Sequence, residues 1–528
     1  MRGVDAPLCQ NLVLGSHTPT VCLGFAGPSA AIDSAHSLAA DPAECDRPQQ
    51  LGARAIGPVF CPTYVCRSCR CNAERALRLR HLCPFASSVD NISMPQHFVD
   101  AVAYAYRTEL PATRAEWLTR WPATKQAAII RSEHDDPIVR GRVKPTIKRE
   151  CSHKAPTKPR LIQAYPNLHT QCEFAVEHAS FQKALFFAAG SNETRPGYQI
   201  FPGIYIAGTS GWTAQQLSTW ADDHSGLTLY ERDGERWDST MQHAHHALKW
   251  RVMRACDPRF ASSVEEDYVV RGRFSSPHGN VDYTSRGAVK SGHNDTTSGN
   301  TLVNLLIAAN ALHDLGLRGS IIAIGDDLLA AVAGVPDLAA IASRETAYGI
   351  LPTFERRAGF EQATYASGTW LVDGSRHVYV PLLGRLLARQ WWTTSPPPAR
   401  GFALRRHGIA CGMLARLSGI PLYDDFYRPH LLPRAHASSA LLVDDPNRFR
   451  PGGVTDVSGF DFYGALSSRY SLPVVVLQRC ALFLRALPLD PVFHHNIPYG
   501  LSQIIAHDAP GASVGDDARA ILLAQGFS

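Results

Sequence analysis

IIAIGDDLLAAV, from Ile321 to Val332, sets two adjacent carboxylates, Asp326 and Asp327, inside a run that otherwise favours burial. A buried carboxylate is costly unless it is paired, bound to a metal or protonated. Two arrangements satisfy that rule. Gly325-Asp326 can form a tight turn between two strands with both acids in water, or the tip of that turn can be a metal site. Three other polar groupings bear on the choice. In LTLYERDGERWDSTMQ, alternation puts Leu227, Leu229, Glu231 and Asp233 on one strand face, with Asp233 near the strand's end and Asp238 beyond the turn. In SGHNDTTSGNTLVNLLIAANALHDLG, Ser291 and Gly292 form a loop, and Thr296 and Asn300, four apart, share one face of the helix that follows. In IKRECSHKAPTKPRLIQAYPN, Lys148, Arg149, Lys154, Lys158 and Arg160 crowd one short segment that aims cations at one place. Each grouping alone has an ordinary explanation: Asp238 and the Ser/Thr/Asn set as helix caps, the cations as a solvated loop.

These residues need elements to hold them. Ile321 to Ile324 and Leu328 to Val332 read as two strands, apolar on both faces, as at the centre of a sheet covered by helices. Ser239 and Gln242 have the spacing of a capping box for a helix through Met241, Ala244, Leu248, Val252 and Ala255. The helix carrying Thr296 and Asn300 is apolar on nearly every side and should be buried. Strands and helices alternate from 225 to 390. TTSPPPARG is a proline-rich joint, and the sequence beyond it is mainly helical. LPVVVLQRCALFLRAL, from Leu472 to Leu487, reads as a buried helix, and DDARAILLAQG as an amphipathic one.

The bulk numbers permit this reading. The chain has 528 residues, 45% of them hydrophobic and 19% charged, so it can build a sizeable core and is not disordered as a whole. A net charge of +5 permits a nucleic-acid partner without demanding one. The 13 cysteines are an odd, scattered set, unlike a secreted disulfide scaffold, and point to reduced thiols in a cytosolic setting. No signal-peptide pattern and no stretch of about 18 uninterrupted apolar residues is read, so no transmembrane helix is expected.

Taken in order, the four groupings resemble the motif set of RNA-dependent RNA polymerases from positive-strand RNA viruses. The family's D-x4-D is read at Asp233 and Asp238, its S-G-x3-T-x3-N at Ser291, Gly292, Thr296 and Asn300, and its G-D-D at Gly325, Asp326 and Asp327. The basic segment is similar to the family's fingers motif in a K-x-E…K-P-R-x-I form, with Lys148, Glu150, Lys158, Pro159, Arg160 and Ile162, as in tombusvirus-like and nodavirus-like polymerases. The resemblance covers about 145 to 390. It implies an α+β right hand: fingers at 96–225 with an insert near 257–290, a palm with an antiparallel sheet and helices at 226–390, and a helical thumb at 391–528. It implies template-directed RNA synthesis by two-metal nucleotidyl transfer. Two Mg²⁺ (or Mn²⁺) ions would sit on Asp233 and Asp326, with Asp327 supporting. Asp238 and Asn300 would sense the ribose 2′-hydroxyl, assisted by Ser291, Gly292 and Thr296, and Lys148, Lys158 and Arg160 would line the triphosphate entry. Its partners would be a single-stranded RNA template, nascent RNA, nucleoside triphosphates and other viral replication proteins. Its place would be the host cytoplasm in membrane-associated replication complexes, or the virion. The chain departs from the family in one respect. Where a lysine usually follows the third motif, Arg356 and Arg357 stand, and arginine is a poor proton donor. YASGTWLVDGSRHVYVP, from Tyr365 to Pro381, resembles the family's primer-grip hairpin.

Residues 1–95 read as a Cys-rich extension with little periodic pattern. Cys66, Cys69, His81 and Cys83 could hold a structural Zn²⁺, with Cys61, Cys71 and Cys45 as alternative ligands, or be reduced thiols in a loose segment. Two other functions compete. A reverse transcriptase shares the palm chemistry but usually lacks the S-G-x3-T-x3-N loop. A non-enzymatic RNA-binding or structural viral protein explains the cations and cysteines but not the acids at strand ends.

Overall fold

The computed structural model describes residues 29–33, 49–50, 53–80, 89–108, 113–154, 159–186, 197–276, 279–432 and 457–524. Its centre is a six-stranded sheet in the order Pro352–Arg357, Thr228–Gly234, Asp327–Val332, Gly319–Ile324, Ile204–Gly208, Tyr198–Phe201. Its strands pair antiparallel except Gly319–Ile324 with Ile204–Gly208, which run parallel. Both faces are covered. Ile321, Ala323, Leu328 and Ala330 face the core built around the Thr296–Asp314 helix, while Ile322, Leu329 and Ala331 face Trp220 and Trp370. That double cover is why the strands lack polar alternation. The Thr296–Asp314 helix is buried from Ser298 to Leu312, as its apolar circumference requires. The acid-bearing sheet already begins at Tyr198, so a division at 225 would cut through it.

A second sheet has the order Ser29–Asp33, Gly279–Arg286, Val269–Ser276, Arg142–Ile147, Leu161–Ala164. It joins the 257–290 stretch to the basic segment. Tyr365 to Pro381 forms a small three-stranded sheet, with Gly368–Asp373 and Arg376–Pro381 as its main hairpin. Helices dominate from Phe402 onward. Here Arg469 and Asp508 make a buried ion pair at 3.0 Å, and Asp508 also accepts from the Gly384 amide at 2.9 Å and the Tyr470 hydroxyl at 2.8 Å. Two helices differ from the sequence reading. Val474–Ala486 is buried only along Leu477, Cys480, Ala481 and Leu484, leaving Val475 and Leu482 exposed. The capping box at Ser239 and Gln242 does not form. Trp237–Thr240 is a separate short helix that ends where Met241 turns extended, and the next helix starts at His243 under a box of Gln242 and His245.

Residues 53–80 are not a loose extension. Arg54–Ala55 pairs with Trp392–Thr393, and Ile56, Val59, Phe60 and Cys61 are buried in the C-terminal helical core. Trp392 Nε1 donates to the Cys61 carbonyl at 2.9 Å, and Arg406 donates to that of Ile56. The Arg70–Arg80 helix then packs Ala73, Ala76 and Leu77 on the second sheet. The segment straps two parts of the molecule together because its apolar residues are shared between two cores, a pattern with no single period. Among the described residues, no helix is long and apolar enough to cross a membrane.

Candidate catalytic centre

The hairpin between Gly319–Ile324 and Asp327–Val332 pairs Ile324 with Asp327, so its turn is the two residues Gly325 and Asp326. Gly325 has φ +63° and Asp326 is not in the left-handed region. That is the pattern of a type II′ turn with glycine first, and a side chain at Gly325 would be strained. The neighbouring strand pairs Arg232 with Leu328, and one step further the register sets Asp233 opposite Asp327. Asp233 and Asp327 line one cavity of about 470 Å³, together with Thr353, Tyr365, Ser367 and Arg385, and Asp326 occupies the turn beside them.

Asp238 lies in the short helix after the strand, hydrogen-bonded to Asn300 on the buried helix. Burial, and then the charge of Asp326, push the Asp238 carboxyl up to about 6, against the opposing pull of Arg80, Arg160 and Asn300. Desolvation in the cleft, then Asp326 and Asp233, push Asp327 up to about 6, opposed by Arg385 and Arg160. The four acids therefore form one field of crowded negative charge.

The loop ahead of the buried helix is tied to the basic segment. The Gln163 amide donates to the Ser291 carbonyl at 2.6 Å. Gly292 has φ +106°, and a Cβ there would sit 2.8 Å from Ile162 Cγ2, so both conformation and contact demand glycine. Thr296 does not aim its hydroxyl into the cleft; it donates to the Lys290 and His293 carbonyls at 2.9 and 2.8 Å, bracing the loop. Arg160 faces the acids electrostatically. Lys148 is paired with Glu150 at 3.0 Å, and Lys158 is outside the described residues. Arg357 is held by Glu231, at 2.6 and 3.0 Å, and Arg356 by the Pro336 carbonyl at 2.7 Å.

Two cations at this site escaped the sequence reading. Arg80, ending the Arg70–Arg80 helix, feels Asp238 and Asp326, while burial and Arg160 push its guanidinium down; its Nε is buried without a hydrogen-bond partner. Arg385, from the Leu383–Arg389 helix, lines the cavity of Asp233 and Asp327. No local signal marks either one, since each reaches the acids from a distant element.

Among the described residues, no three His, Cys, Asp or Glu side chains gather round one point as a closed metal cage. Mg²⁺ needs none, because it binds one or two carboxylates together with substrate phosphates and waters. The donor set at the hairpin tip fits that chemistry: Asp233, Asp326 and Asp327 are hard oxygen donors set close together, and a bound cation would relieve their mutual repulsion. Of the cysteine set, Cys66 and Cys69 are buried, and Cys69 Sγ accepts from the Asn72 amide at 3.5 Å. His81, Cys83 and Cys45 lie outside the described residues. Burial pushes the Cys61 thiol up to about 12, away from the thiolate that zinc requires.

An acid-crowded hairpin tip facing arginines across a cleft is suited to holding a cation and a polyanion together. Residues 240–351 match the family model described as viral RNA-directed RNA-polymerase. Over that span the chain is similar to viral RNA-directed RNA polymerases, a likeness that supports nucleotidyltransferase activity. The matched span contains the 291–300 loop and helix start and the Gly325-Asp326-Asp327 turn; Asp233 and Asp238 fall just ahead of it. No curated protein matches the chain.

Proposed function

We propose that this polymerase copies a single-stranded RNA template by two-metal nucleotidyl transfer at the hairpin tip, in a right hand. Fingers would comprise the basic segment and the second sheet, the palm the acid-bearing sheet from about 198 to 390, and the thumb the helices beyond. The observation that carries this reading is the meeting of Asp233 and Asp327 at one cavity, with Asp326 on the adjoining turn, opposite Arg160, Arg80 and Arg385.

Asp233, Asp326 and Asp327 would hold Mg²⁺ or Mn²⁺. Such ions, when bound, activate the attacking 3′-hydroxyl and stabilise the leaving pyrophosphate. The protein's own groups do the rest. Arg160, joined by Arg80, Lys158 and Lys148, attracts and orients the incoming triphosphate, arginine forks being matched to phosphate oxygens. Asp238, oriented by Asn300, accepts from the ribose 2′-hydroxyl, the group that separates RNA from DNA precursors. Ser291, Gly292 and Thr296 keep the adjoining loop in shape. Arg385 and Ser367 border the same cavity, where the end of the nascent strand would approach. The tombusvirus-like or nodavirus-like lineage rests on the fingers pattern alone.

Ribonucleotide incorporation on a single-stranded RNA template with Mg²⁺, in the wild type and in Asp326→Ala, tests this. Synthesis that disappears in the variant is expected. An Asp326→Ala protein that synthesises RNA at the wild-type rate would return these acids to the role of a solvated turn.

A further inference from the structure

The glycine of the catalytic turn is gripped through its own peptide groups. Its N–H donates to Thr301 Oγ1 at 2.8 Å, and its carbonyl accepts from Asn304 Nδ2 at 2.9 Å. Both partners are completely buried. They are three apart, and so share one face of the Thr296–Asp314 helix.

Neither partner is free to turn away. Thr301 Oγ1 donates to the Thr297 carbonyl at 2.7 Å, which commits its only proton and leaves a lone pair for Gly325. Asn304 Oδ1 accepts from Arg232, which fixes the amide with its NH₂ towards the turn. Arg232 belongs to the strand that carries Asp233. It forms an ion pair with Glu345 at 3.0 Å, and both side chains are wholly excluded from solvent. One chain of polar contacts therefore links Glu345, Arg232 on the strand of Asp233, Asn304, and the turn that leads into the strand of Asp327.

Packing does not hold the tip in place of these bonds. No atom outside the immediate chain neighbours lies within 4 Å of where a Cβ on Gly325 would stand. The acids beside it repel one another. A two-residue turn that sits among like charges needs an anchor if its carboxylates are to keep a fixed spacing.

We propose that Thr301 and Asn304 are positioning residues that fix the Gly325-Asp326 turn relative to Asp233, with the Arg232–Glu345 pair locking the Asn304 amide. This rests on the proposed role of the hairpin acids as the cation site. Neither residue touches substrate; each acts by setting where the carboxylates stand.

The test compares the wild type with Thr301→Val, which removes the acceptor at equal size, Thr301→Ser, which retains it, and Asn304→Asp, which keeps an acceptor for Arg232 but loses the donor to Gly325. Asp326→Ala serves as the control for the site itself. Two quantities are read: the Mg²⁺ concentration giving half-maximal RNA synthesis, and Mn²⁺ binding without nucleotide, followed by electron paramagnetic resonance. Circular dichroism and thermal melting establish folding. Thr301→Val and Asn304→Asp should each raise the half-saturating Mg²⁺ and weaken Mn²⁺ binding by about tenfold, the usual scale for a residue that orients a metal ligand. Thr301→Ser should restore both. Folded Thr301→Val and Asn304→Asp proteins with wild-type Mg²⁺ dependence and Mn²⁺ binding would overturn the proposal. If Thr301→Val does not fold, Thr301→Ala, the smaller change, is judged by the same two outcomes. Unaltered Mn²⁺ binding and synthesis in Asp326→Ala would instead overturn the reading of the site.

Discussion

The Thr296–Asp314 helix stands between two clusters of charge that are built on opposite plans. Near its N-terminus the charges are mixed and matched within the protein. Lys249 donates to Asp295, Lys290 to the Tyr268 carbonyl at 3.0 Å, and His246 is hydrogen-bonded to the Gly287 carbonyl, while Tyr165 stacks on His293 at 4.0 Å. Lys249 holds Asp295 well below the usual carboxylate range despite burial, and burial keeps His178 and His293 neutral. At the hairpin tip the acids crowd together, and burial, then the charge of Asp326, push the Asp238 and Asp327 carboxyls up instead. The inner cluster pairs its main charges, Lys249 and Asp295, within the protein. The outer one is electrostatically unfinished, with its surplus facing a cavity. A protein tolerates unrelieved like charge where something else is to supply the balance.

The contrast can be broken most severely at the open cluster. Asp233→Asn should lower RNA synthesis by about 10³-fold, the scale for losing a preorganised charge, with no loss of melting temperature in metal-free buffer; a large drop in melting temperature would mean that Asp233 is structural. At the closed cluster the effect should be the reverse. Lys249→Met leaves Asp295 without its ion-pair partner and should cost about 3 kcal/mol in urea unfolding, and equal stability of variant and wild type would show that the pair is dispensable. Asp238→Ala should narrow the preference for ribo- over deoxyribonucleotides by about tenfold or more, with little change in Mg²⁺ dependence. Competition between the two nucleotide types would reveal it, and an unchanged preference would remove Asp238 from sugar recognition.

The smallest effect is a slope with pH. Burial, and then the charge of Lys249, lower the Lys290 ammonium to about 7. Above that pH the folded chain carries fewer protons here than the unfolded chain, whose lysine titrates near its ordinary value. Stability should therefore rise as pH climbs from about 7 towards 10, by at most about 1.4 kcal/mol per unit. Unfolding at pH 7.5 and 9.5 should show the rise in the wild type and its absence in Lys290→Met; identical slopes would place the titration elsewhere.

Much of the open cluster was legible in the sequence because its parts sit in short strings. Gly325, Asp326 and Asp327 are consecutive, and Asp233 and Asp238 are separated by one turn. The apolar run around the acids correctly announced a sheet covered on both faces. What could not be read depends on contacts between distant elements. Arg80 and Arg385 reach the site from helices that lie far apart in the sequence. Thr301 and Asn304 look like ordinary polar residues in a buried helix until the turn is docked on them. The capping box at Ser239 failed for a local reason. Arg236 adopts a left-handed conformation, with φ 55°, ahead of buried Trp237, so Ser239 spends its hydroxyl on the Arg236 carbonyl. Thr296 was placed on the correct helix face, but its hydroxyl is used by its own loop.

The strap of residues 53–80 has a consequence for how the molecule is made. Its bond from Arg406 to Ile56 spans 350 residues of sequence. At a synthesis rate of about 5 to 20 residues per second, the early segment emerges roughly 20 to 70 s before that partner exists. For that interval Ile56, Val59, Phe60 and Cys61 have no C-terminal core to enter. The nascent chain must keep an oily, thiol-bearing ribbon from sticking or oxidising until the last helices leave the ribosome. Closure of the strap is then a late event in the birth of the enzyme, and chaperone occupancy on ribosome-bound chains should persist until residues beyond Phe402 have emerged.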